Sequence, residues 1–352
     1  MGEFAQGRRF RITEEYSISR LIVGGWQFSQ GHGAGDHTPE SSRELLAALV
    51  DRGLTTFDCA DIYTGVEELF GDLIRRNRQS GGGADIQIHT KFVPDLDILP
   101  SIDKAYVERI IDRSLSRLGV ERLDLVQFHW WDFGVPGYVE VAHWLQELRE
   151  KGKIRHLGVT NFDEKQLDAI VRSGVEIVSN QVQYSALDRR PEKNLAPYCE
   201  ENGIVLLCYG GLSGGFLTDS YLGMSTPPAE IENRSLVKYR LIIDEVGGWD
   251  AYQFILGALN GVAARHGVPL PCVALRYVLD QPAVAATITG LDSLGQAEQT
   301  VEALDLRLEA EEMDEIERAL LDIPVPPGPV YGVEREMDGP HGAIMRYNLS
   351  EK

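Results

Sequence analysis

The chain has 352 residues, of which 43% are hydrophobic and 25% charged, and its formal net charge is −20 at pH 7. This composition is typical of a globular protein, and so acidic a chain disfavours binding to nucleic acid or to anionic membranes. No apolar run approaches the ~20 residues of a membrane helix, and the N-terminus contains no apolar signal core. The four cysteines form no C-x-x-C pair, and no H-E-x-x-H motif occurs. We therefore expect a cytoplasmic protein without disulfides or a metal site.

Short apolar segments rich in β-branched residues recur along the chain, as expected for parallel strands that are buried on both faces. The predicted strands are residues 20–26, 55–60, 86–92, 123–130, 154–161, 176–184, 203–210 and 284–290. Amphipathic stretches separate them. Residues 37–53, for example, offer a Thr cap followed by Pro at the first turn of a helix, and residues 103–120 place their apolar side chains on one helical face.

Eight strands, each followed by a helix, predict a single-domain (β/α)8 TIM barrel over about residues 18–322. A doubly wound open sheet is the alternative, but it usually carries a phosphate-binding G-x-G-x-x-G turn after its first strand, and no clear one occurs here. Two regions exceed the simple barrel unit. Residues 211–249 form a long loop after the seventh strand, and we expect the Pro- and Gly-rich tail 323–352 to pack over one face of the barrel.

Polar side chains stand where the predicted strands end, which is where the active sites of such barrels form. The second strand runs into "FDCADIYTG", which contains Asp58 and Tyr63; the third ends with Lys91 and the fourth with His129. A phenol is a weak acid at neutral pH, and an adjacent ammonium lowers its pKa by stabilising the phenolate. A carboxylate keeps that ammonium charged, and an imidazole can hydrogen-bond a carbonyl oxygen. These four residues therefore predict a general acid beside a pocket for a developing alkoxide.

With "HTKF", "VQFHWWD", "GVTNF" and "SNQVQYS" around them, these residues resemble the aldo-keto reductase superfamily over about residues 18–322. The resemblance implies an oxidoreductase that transfers a hydride between NAD(P)H and an aldehyde, ketone or sugar carbonyl. It implies that Tyr63 is the general acid in reduction and the general base in oxidation. Lys91, paired with Asp58, would tune the phenol. His129 would orient the carbonyl.

The resemblance also implies a set of cofactor contacts. Thr160, Asn161 and Gln181 would hydrogen-bond the nicotinamide carboxamide, Tyr209 would stack on the ring, and "GLSGGFL" (211–217) resembles the loop that covers the pyrophosphate. The implied cofactor-binding residues are Thr160, Asn161, Gln181, Tyr209, Gly210, Leu212, Gly290, Asp292 and Gln296.

The cofactor preference turns on the segment after the eighth strand. It reads "GLDSLGQAEQT", so Asp292 stands where the family commonly has an Arg. A carboxylate repels a 2′-phosphate and can accept a hydrogen bond from a free ribose hydroxyl. NADP is usual for the family, and NAD is plausible here.

Several assignments have a second interpretation. Trp26, Trp130 and Trp131 are candidates to line the substrate pocket, although core packing also explains such residues. Asp61 and Cys59 are expected to have turn and core roles. The substrate would be a small carbonyl or alcohol, and the oligomeric state is not indicated. Two other functions stay open: an isomerase, epimerase or lyase with a tightly held nicotinamide, or a regulatory reductase-like subunit.

Overall fold

The computed structural model describes residues 8–30, 38–81, 83–228, 231 and 234–349. Within these residues the chain forms ten strands: β1 (Arg9–Thr13), β2 (Tyr16–Ser19), β3 (Leu21–Gly24), β4 (Thr56–Asp58), β5 (Gln87–Phe92), β6 (Leu123–Phe128), β7 (Ile154–Thr160), β8 (Ser179–Gln183), β9 (Val205–Tyr209) and β10 (Val284–Thr289). Strands β3 to β10 pair in parallel with their neighbours, and β10 pairs with β3 to close the barrel. The predicted (β/α)8 barrel is confirmed, and each predicted segment contains one barrel strand.

Helices surround the barrel. They are α1 (Pro39–Asp51), α2 (Val66–Gln79), α3 (Lys104–Leu118), α4 (Tyr138–Glu150), α5 (Glu164–Arg172), α6 (Leu195–Asn202), α7 (Arg234–Glu245), α8 (Gly248–His266), α9 (Leu270–Leu279), α10 (Leu294–Asp305), α11 (Ala310–Leu320), α12 (Gly332–Arg335) and α13 (Pro340–Ala343). In the part of the chain that the structure describes, no helix combines the length and apolarity needed to cross a membrane.

The antiparallel hairpin of β1 and β2 was not predicted. Its Tyr16 and Ile18 are buried in one cluster with Leu125 and other residues of the barrel strands. The guanidinium of Arg9 donates hydrogen bonds to the side chains of Thr55, just before β4, and of Gln87, the first residue of β5, at 2.9 and 3.2 Å. The hairpin therefore covers the N-terminal end of the barrel and leaves the C-terminal end for a site.

The predicted long loop after the seventh strand is partly helical. Residues 211–249 contain two short 3-10 turns, the whole of α7 and the start of α8. Helix α7 forms because apolar residues recur at helical spacing in this segment, and it buries Tyr239, Ile242 and Ile243. The predicted long connection after the seventh strand is therefore present, and it contains helical segments.

The C-terminal tail packs over the C-terminal end of the barrel, as predicted. The guanidinium of Arg335 donates to the backbone carbonyl oxygens of Trp130, Trp131 and Asn161 at 3.1, 3.0 and 2.8 Å. It also donates to two carbonyl oxygens of the tail itself, at 3.5 and 3.3 Å. One side chain thus fixes the tail to the segments that follow β6 and β7.

Gly71 permits the close approach of α2 and α3. A Cβ at this position would lie 2.7 Å from the carbonyl oxygens of Arg117 and Leu118. We expect Gly71→Ala to lower the free energy of unfolding by ~1–3 kcal/mol, because backbone atoms cannot yield easily. Gly257→Ala in α8 is the control, because a Cβ there would meet nothing within 4 Å.

The control should leave stability unchanged or raise it by up to ~1 kcal/mol, since alanine is the better helix former. Urea unfolding followed by circular dichroism measures both variants. Equal unfolding midpoints for the two would contradict the close-packing argument.

Candidate active site

The ends of three neighbouring strands bring the four predicted catalytic residues together. Asp58 ends β4, Lys91 lies in β5, and His129 follows β6 directly; Tyr63 stands in the loop between β4 and α2. The ammonium nitrogen of Lys91 donates to Asp58 Oδ2 at 2.5 Å and to the carbonyl oxygen of Cys59 at 2.9 Å. The same nitrogen lies 5.0 Å from the centre of the Tyr63 ring. A buried ion pair therefore adjoins the phenol.

Burial and the neighbouring charges shift the pKa of Lys91 in opposite directions. Burial alone would lower the pKa of Lys91, but Asp58 and Tyr63 outweigh it and raise the pKa above its ordinary value. Lys91 is therefore an ammonium at any ordinary pH. The pKa of Tyr63 is also raised, first because burial disfavours the phenolate, although Lys91 opposes this effect. Lys91 thus lowers the pKa of Tyr63, as predicted, but desolvation outweighs the effect of one ammonium that is already paired.

Two glutamines hold the Asp58 carboxylate. Oδ1 of Asp58 accepts hydrogen bonds from the side-chain amides of Gln127 and Gln181 at 2.8 and 2.7 Å. Gln181 also donates to Gln127 Oε1 at 2.7 Å. With Lys91 on Oδ2, both oxygens of this buried carboxylate are bonded, which fixes its orientation. Gln127 was missed at the sequence level, although a glutamine in the apolar segment "LVQF" was a signal that a buried partner exists.

Asp61 and Cys59 support the loop after β4. Cys59 is fully buried, and Asp61 is also buried. Oδ1 of Asp61 accepts a hydrogen bond from the backbone N–H of Val93 at 3.2 Å. This bond ties the loop that carries Tyr63 to the residue directly after β5, the strand that contains Lys91.

The His129 ring is neutral, and its tautomer is determined by a backbone contact. Nδ1 lies 3.2 Å from the carbonyl oxygen of Thr160, which can only accept, so Nδ1 carries the proton. Burial and then the charge of Arg335 lower the pKa of His129 to about 3. At neutral pH Nε2 therefore carries a lone pair and can accept a hydrogen bond but not donate one.

The residues predicted to contact a nicotinamide lie at the same end of the barrel, on β7, β8 and β9. The hydroxyl of Tyr209 donates to Asn161 Oδ1 at 2.9 Å, and the hydroxyl of Thr160 donates to the carbonyl oxygen of Gln181 at 3.0 Å. Asn161 has a φ of 63°, in the left-handed region, and its backbone N–H donates to the Gln181 carbonyl oxygen at 2.8 Å. Of these side chains, that of Asn161 contacts the half-buried Tyr209, whereas the side-chain amide of Gln181 is bonded to Asp58 and Gln127.

A glycine-rich run follows β9. Gly210, Gly214 and Gly215 have φ values of 74°, 68° and 105°, which favour glycine. A Cβ on Gly210 or Gly214 would come within 2.6 Å of the Tyr239 side chain, whereas a Cβ on Gly215 would meet nothing within 4 Å. Leu212, which is half-buried, lies within this run. The run therefore presents backbone rather than side chains.

The remaining predicted cofactor residues follow β10. Gln296 Oε1 accepts a hydrogen bond from the backbone N–H of Asp292 at 2.8 Å, near the start of α10, and both residues are exposed. A Cβ on Gly290 would lie 2.9 Å from the side-chain amide of Gln27 in the loop after β3. Because β3 and β10 are neighbours in the barrel, these residues lie at the same rim as the site.

The three candidate pocket tryptophans have different surroundings. Trp26 is half-buried and lies edge-on to Tyr63, with 5.0 Å between ring centres. Trp131 lies edge-on to His129, with 4.3 Å between ring centres. Trp130 is fully buried, and its Nε1 donates to the carbonyl oxygen of Val135 at 3.1 Å. Trp26 and Trp131 thus adjoin the catalytic candidates, and Trp130 packs in the core.

A buried charge cluster next to this site was missed at the sequence level. Glu334 of the tail accepts two hydrogen bonds from the Arg190 guanidinium, at 2.9 and 3.0 Å, and lies 3.7 Å from the Lys238 nitrogen. Arg190 also pairs with Asp188 at 2.6 Å. The Lys238 nitrogen lies 5.1 Å from the centre of the Tyr209 ring. The residues of this cluster come from three distant segments of the chain, so no local sequence pattern predicts that they meet.

Comparison with known proteins assigns the chain to the NAD(P)-dependent oxidoreductases. A sequence profile described as the Aldo/keto reductase family matches residues 20–321. The chain therefore belongs to the aldo/keto reductase family, which confirms the resemblance seen in its motifs.

Individual relatives agree with this assignment. The chain is 29% identical over 323 residues to aldo-keto reductase YhdN of Bacillus subtilis (strain 168), a match that covers 89% of this chain and 93% of the relative. It is 28% identical over 316 residues to an NADH-specific methylglyoxal reductase of Escherichia coli (strain K12), covering 84% and 93%. Among solved structures, a glycerol dehydrogenase from Gluconobacter oxydans is similar with a TM-score of 0.76 and 26% identity, covering 92% of this chain and 97% of that one.

Proposed function

We propose that this protein transfers a hydride between a nicotinamide cofactor and an aldehyde, ketone or sugar carbonyl, with Tyr63 as the proton donor to the carbonyl oxygen. The observation that carries the proposal is the buried Lys91–Asp58 pair, 2.5 Å apart, beside the Tyr63 ring. A phenol next to a permanent ammonium can release a proton because its conjugate base is stabilised as it forms. We expect a small carbonyl or alcohol substrate and a cytoplasmic location.

The residues next to this pair fit a nicotinamide dinucleotide. The half-buried ring of Tyr209 offers a flat aromatic face, and the side-chain amide of Asn161 beside it suits a carboxamide. The glycine run from Gly210 to Gly215 offers backbone that can approach a pyrophosphate closely. Bound there, the cofactor would supply or accept the hydride.

The energetics of proton transfer favour Tyr63 as the acid. Negative charge develops on the carbonyl oxygen during reduction, and an alkoxide is a much stronger base than a phenolate. The raised pKa of Tyr63 therefore does not prevent transfer of its proton. Lys91 keeps its charge and stabilises the phenolate that remains. Asp58, held by its two glutamines, keeps the ammonium in place.

We further propose that NAD is accepted as well as NADP. Asp292 is exposed after β10, and a carboxylate at that position would repel a 2′-phosphate. The name of one relative, an NADH-specific methylglyoxal reductase, supports the use of NADH in proteins of this kind.

Fluorescence titration of the full chain with NADH and with NADPH tests the proposal, followed by a panel of aldehydes and ketones with the preferred cofactor. We expect both nicotinamides to bind and at least one carbonyl to be reduced. NADPH that binds more than about a hundredfold tighter than NADH, a difference of ~2.7 kcal/mol, would contradict the use of NAD. A protein that binds neither nicotinamide would overturn the proposed function.

A further inference from the structure

The guanidinium of Arg117 joins the two sides of the loop that carries Tyr63. Its Nη1 donates to the backbone carbonyl oxygen of Asp61, which precedes Tyr63 in the loop, at 3.0 Å. The same nitrogen donates to Oε2 of Glu67, which follows Tyr63 in the first turn of α2, at 3.5 Å. Arg117 belongs to α3 and is half-buried there. The loop is therefore held from the helical layer as well as from the barrel strands.

Asp61 is the residue through which this contact reaches the phenol. The backbone N–H of Tyr63 donates to the carbonyl oxygen of Ala60 at 3.0 Å, which closes a tight turn with Asp61 inside it. The N–H of Asp61 donates to the carbonyl oxygen of Lys91 at 3.3 Å, and its own carbonyl oxygen accepts from Arg117. Both backbone polar groups of Asp61 are thus bonded to other segments, and the position of Tyr63 follows from that of Asp61.

The buried charges around the loop increase its dependence on Arg117. Asp61 and Glu67 are 4% and 0% exposed, and Glu67 Oε1 also accepts from the Thr90 hydroxyl at 2.7 Å. Burial and then Glu67 raise the pKa of Asp61, while two arginines of α3 oppose this rise. Without Arg117, the buried carbonyl oxygen of Asp61 would lose this donor, and the repulsion between the two carboxylates would be less opposed.

We propose that Arg117 is a positioning residue for Tyr63, which fixes the phenol beside Lys91 by joining Asp61 to Glu67. The inference rests on the proposed function, in which Tyr63 is the proton donor. Arg117 acts through the backbone of Asp61 and takes no part in the proton transfer itself. Such a role matters because a displacement of ~1 Å between reacting groups can slow a reaction by about 10²-fold.

Arg117→Met tests the inference, because methionine keeps an apolar stem and removes every N–H donor of the side chain. We expect kcat/KM for carbonyl reduction to fall about 10–100-fold, mainly through kcat. The dissociation constants of NADH and NADPH should remain nearly unchanged. Arg109→Met is the matched control, because Arg109 is exposed on the same helix and its guanidinium lies over the Tyr106 ring at 4.9 Å. Turnover of Arg117→Met as high as that of the control would overturn the inference.

The same substitution in the Tyr63→Phe background separates positioning from a general loss of structure. If Arg117 acts by placing the phenol hydroxyl, its loss has little further effect once that hydroxyl is gone, so the two rate losses do not add. Titration with the cofactor counts the intact sites, so an unfolded fraction does not enter the rate. An equal further loss in the Tyr63→Phe background would show that Arg117 supports the fold rather than Tyr63.

Arg117→Lys keeps the inference testable if the methionine variant does not fold. Lysine retains a positive charge beside Glu67, but its nitrogen ends one bond short of Nη1 and lacks the planar fork of a guanidinium. We expect a folded protein whose kcat/KM is lowered severalfold, and this loss should again disappear in the Tyr63→Phe background. A folded Arg117→Lys variant with unchanged turnover would contradict the inference.

The outcomes separate the two proposals. If Tyr63→Phe retains its rate, the proposed role of Tyr63 fails, and the inference fails with it. If Tyr63→Phe loses its rate while both Arg117 variants retain theirs, only the inference fails and the proposed function stands.

Discussion

Tyr63→Phe is expected to lower kcat/KM by about 10²–10⁴-fold for every carbonyl that the protein reduces, the range typical for a lost general acid. The dissociation constants of NADH and NADPH should remain nearly unchanged. Phenylalanine keeps the ring that lies 5.0 Å from Trp26, and the Lys91–Asp58 pair does not depend on the hydroxyl. The substitution therefore removes the proton donor and little else. Steady-state kinetics and fluorescence titration measure the two quantities separately.

Tyr198→Phe is a matched control for this variant. Tyr198 lies on α6, and its hydroxyl donates to Asp168 Oδ1 at 3.3 Å, away from the barrel rim. Its loss should leave turnover unchanged. A Tyr63→Phe variant that retains its rate within a few-fold would refute Tyr63 as the proton donor. Loss of cofactor binding as well as rate would show that the hydroxyl also supports the cofactor site, contrary to our expectation.

The second large effect concerns the stability of the tail. We expect Glu334→Gln to lower the free energy of unfolding at neutral pH by ~3 kcal/mol or more, as when a buried ion pair loses one partner. Glu334 is fully buried and accepts two hydrogen bonds from Arg190, with Lys238 also in contact. Glutamine has nearly the same shape but no charge, so Arg190 would keep its ion pair with Asp188, while the half-buried Lys238 would lose its contact with the Glu334 carboxylate.

This contribution should depend on pH in a defined direction. Burial would raise the pKa of Glu334, but Arg190 and Lys238 outweigh burial and hold it at about 2. A glutamate in an unfolded chain has a pKa of about 4.3. Because the folded pKa is the lower one, the carboxylate stabilises the fold above about pH 4.3, and this stabilisation is lost as the pH falls toward 2.

Urea unfolding of the protein and the variant at two pH values measures this effect. The difference in free energy of unfolding should decrease from ~3 kcal/mol at neutral pH to about half of that at about pH 3. Glu336→Gln is the control, because that side chain is exposed in the same tail and should contribute little at either pH. If the two variants are equally stable at neutral pH, the charge cluster does not hold the tail.

Much of the fold could be predicted from the sequence for a physical reason. Strands buried on both faces must be almost continuously apolar, so the barrel strands stand out as short runs separated by amphipathic helices. The closed topology then brings the strand ends to one rim. Asp58, Lys91 and His129 lie on neighbouring strands, and this adjacency follows from chain order once the barrel is assumed. Their catalytic roles stay predictions.

Other features needed the tertiary structure. The sequence shows Gln127 as an unusual polar residue in an apolar segment. Its hydrogen bond to Asp58, however, depends on how the neighbouring strands pair. Trp130 and Trp131 are adjacent in sequence, and only packing decides that the first enters the core while the second contacts His129. The pKa of Tyr63 is raised rather than lowered because desolvation depends on everything that surrounds the phenol, which no local pattern records.

By itself the sequence determined the barrel, the order of its strands and the residues at their ends, because these depend on local periodicity and chain connectivity. The tertiary structure decided the tautomer of His129, the buried charge cluster and the attachment of the tail. Arg335 reaches the carbonyl oxygen of Trp130 across 205 positions of sequence, and Arg190 reaches Glu334 across 144. Contacts between such distant residues form only when the whole barrel brings them together. No periodic pattern of the sequence predicts them.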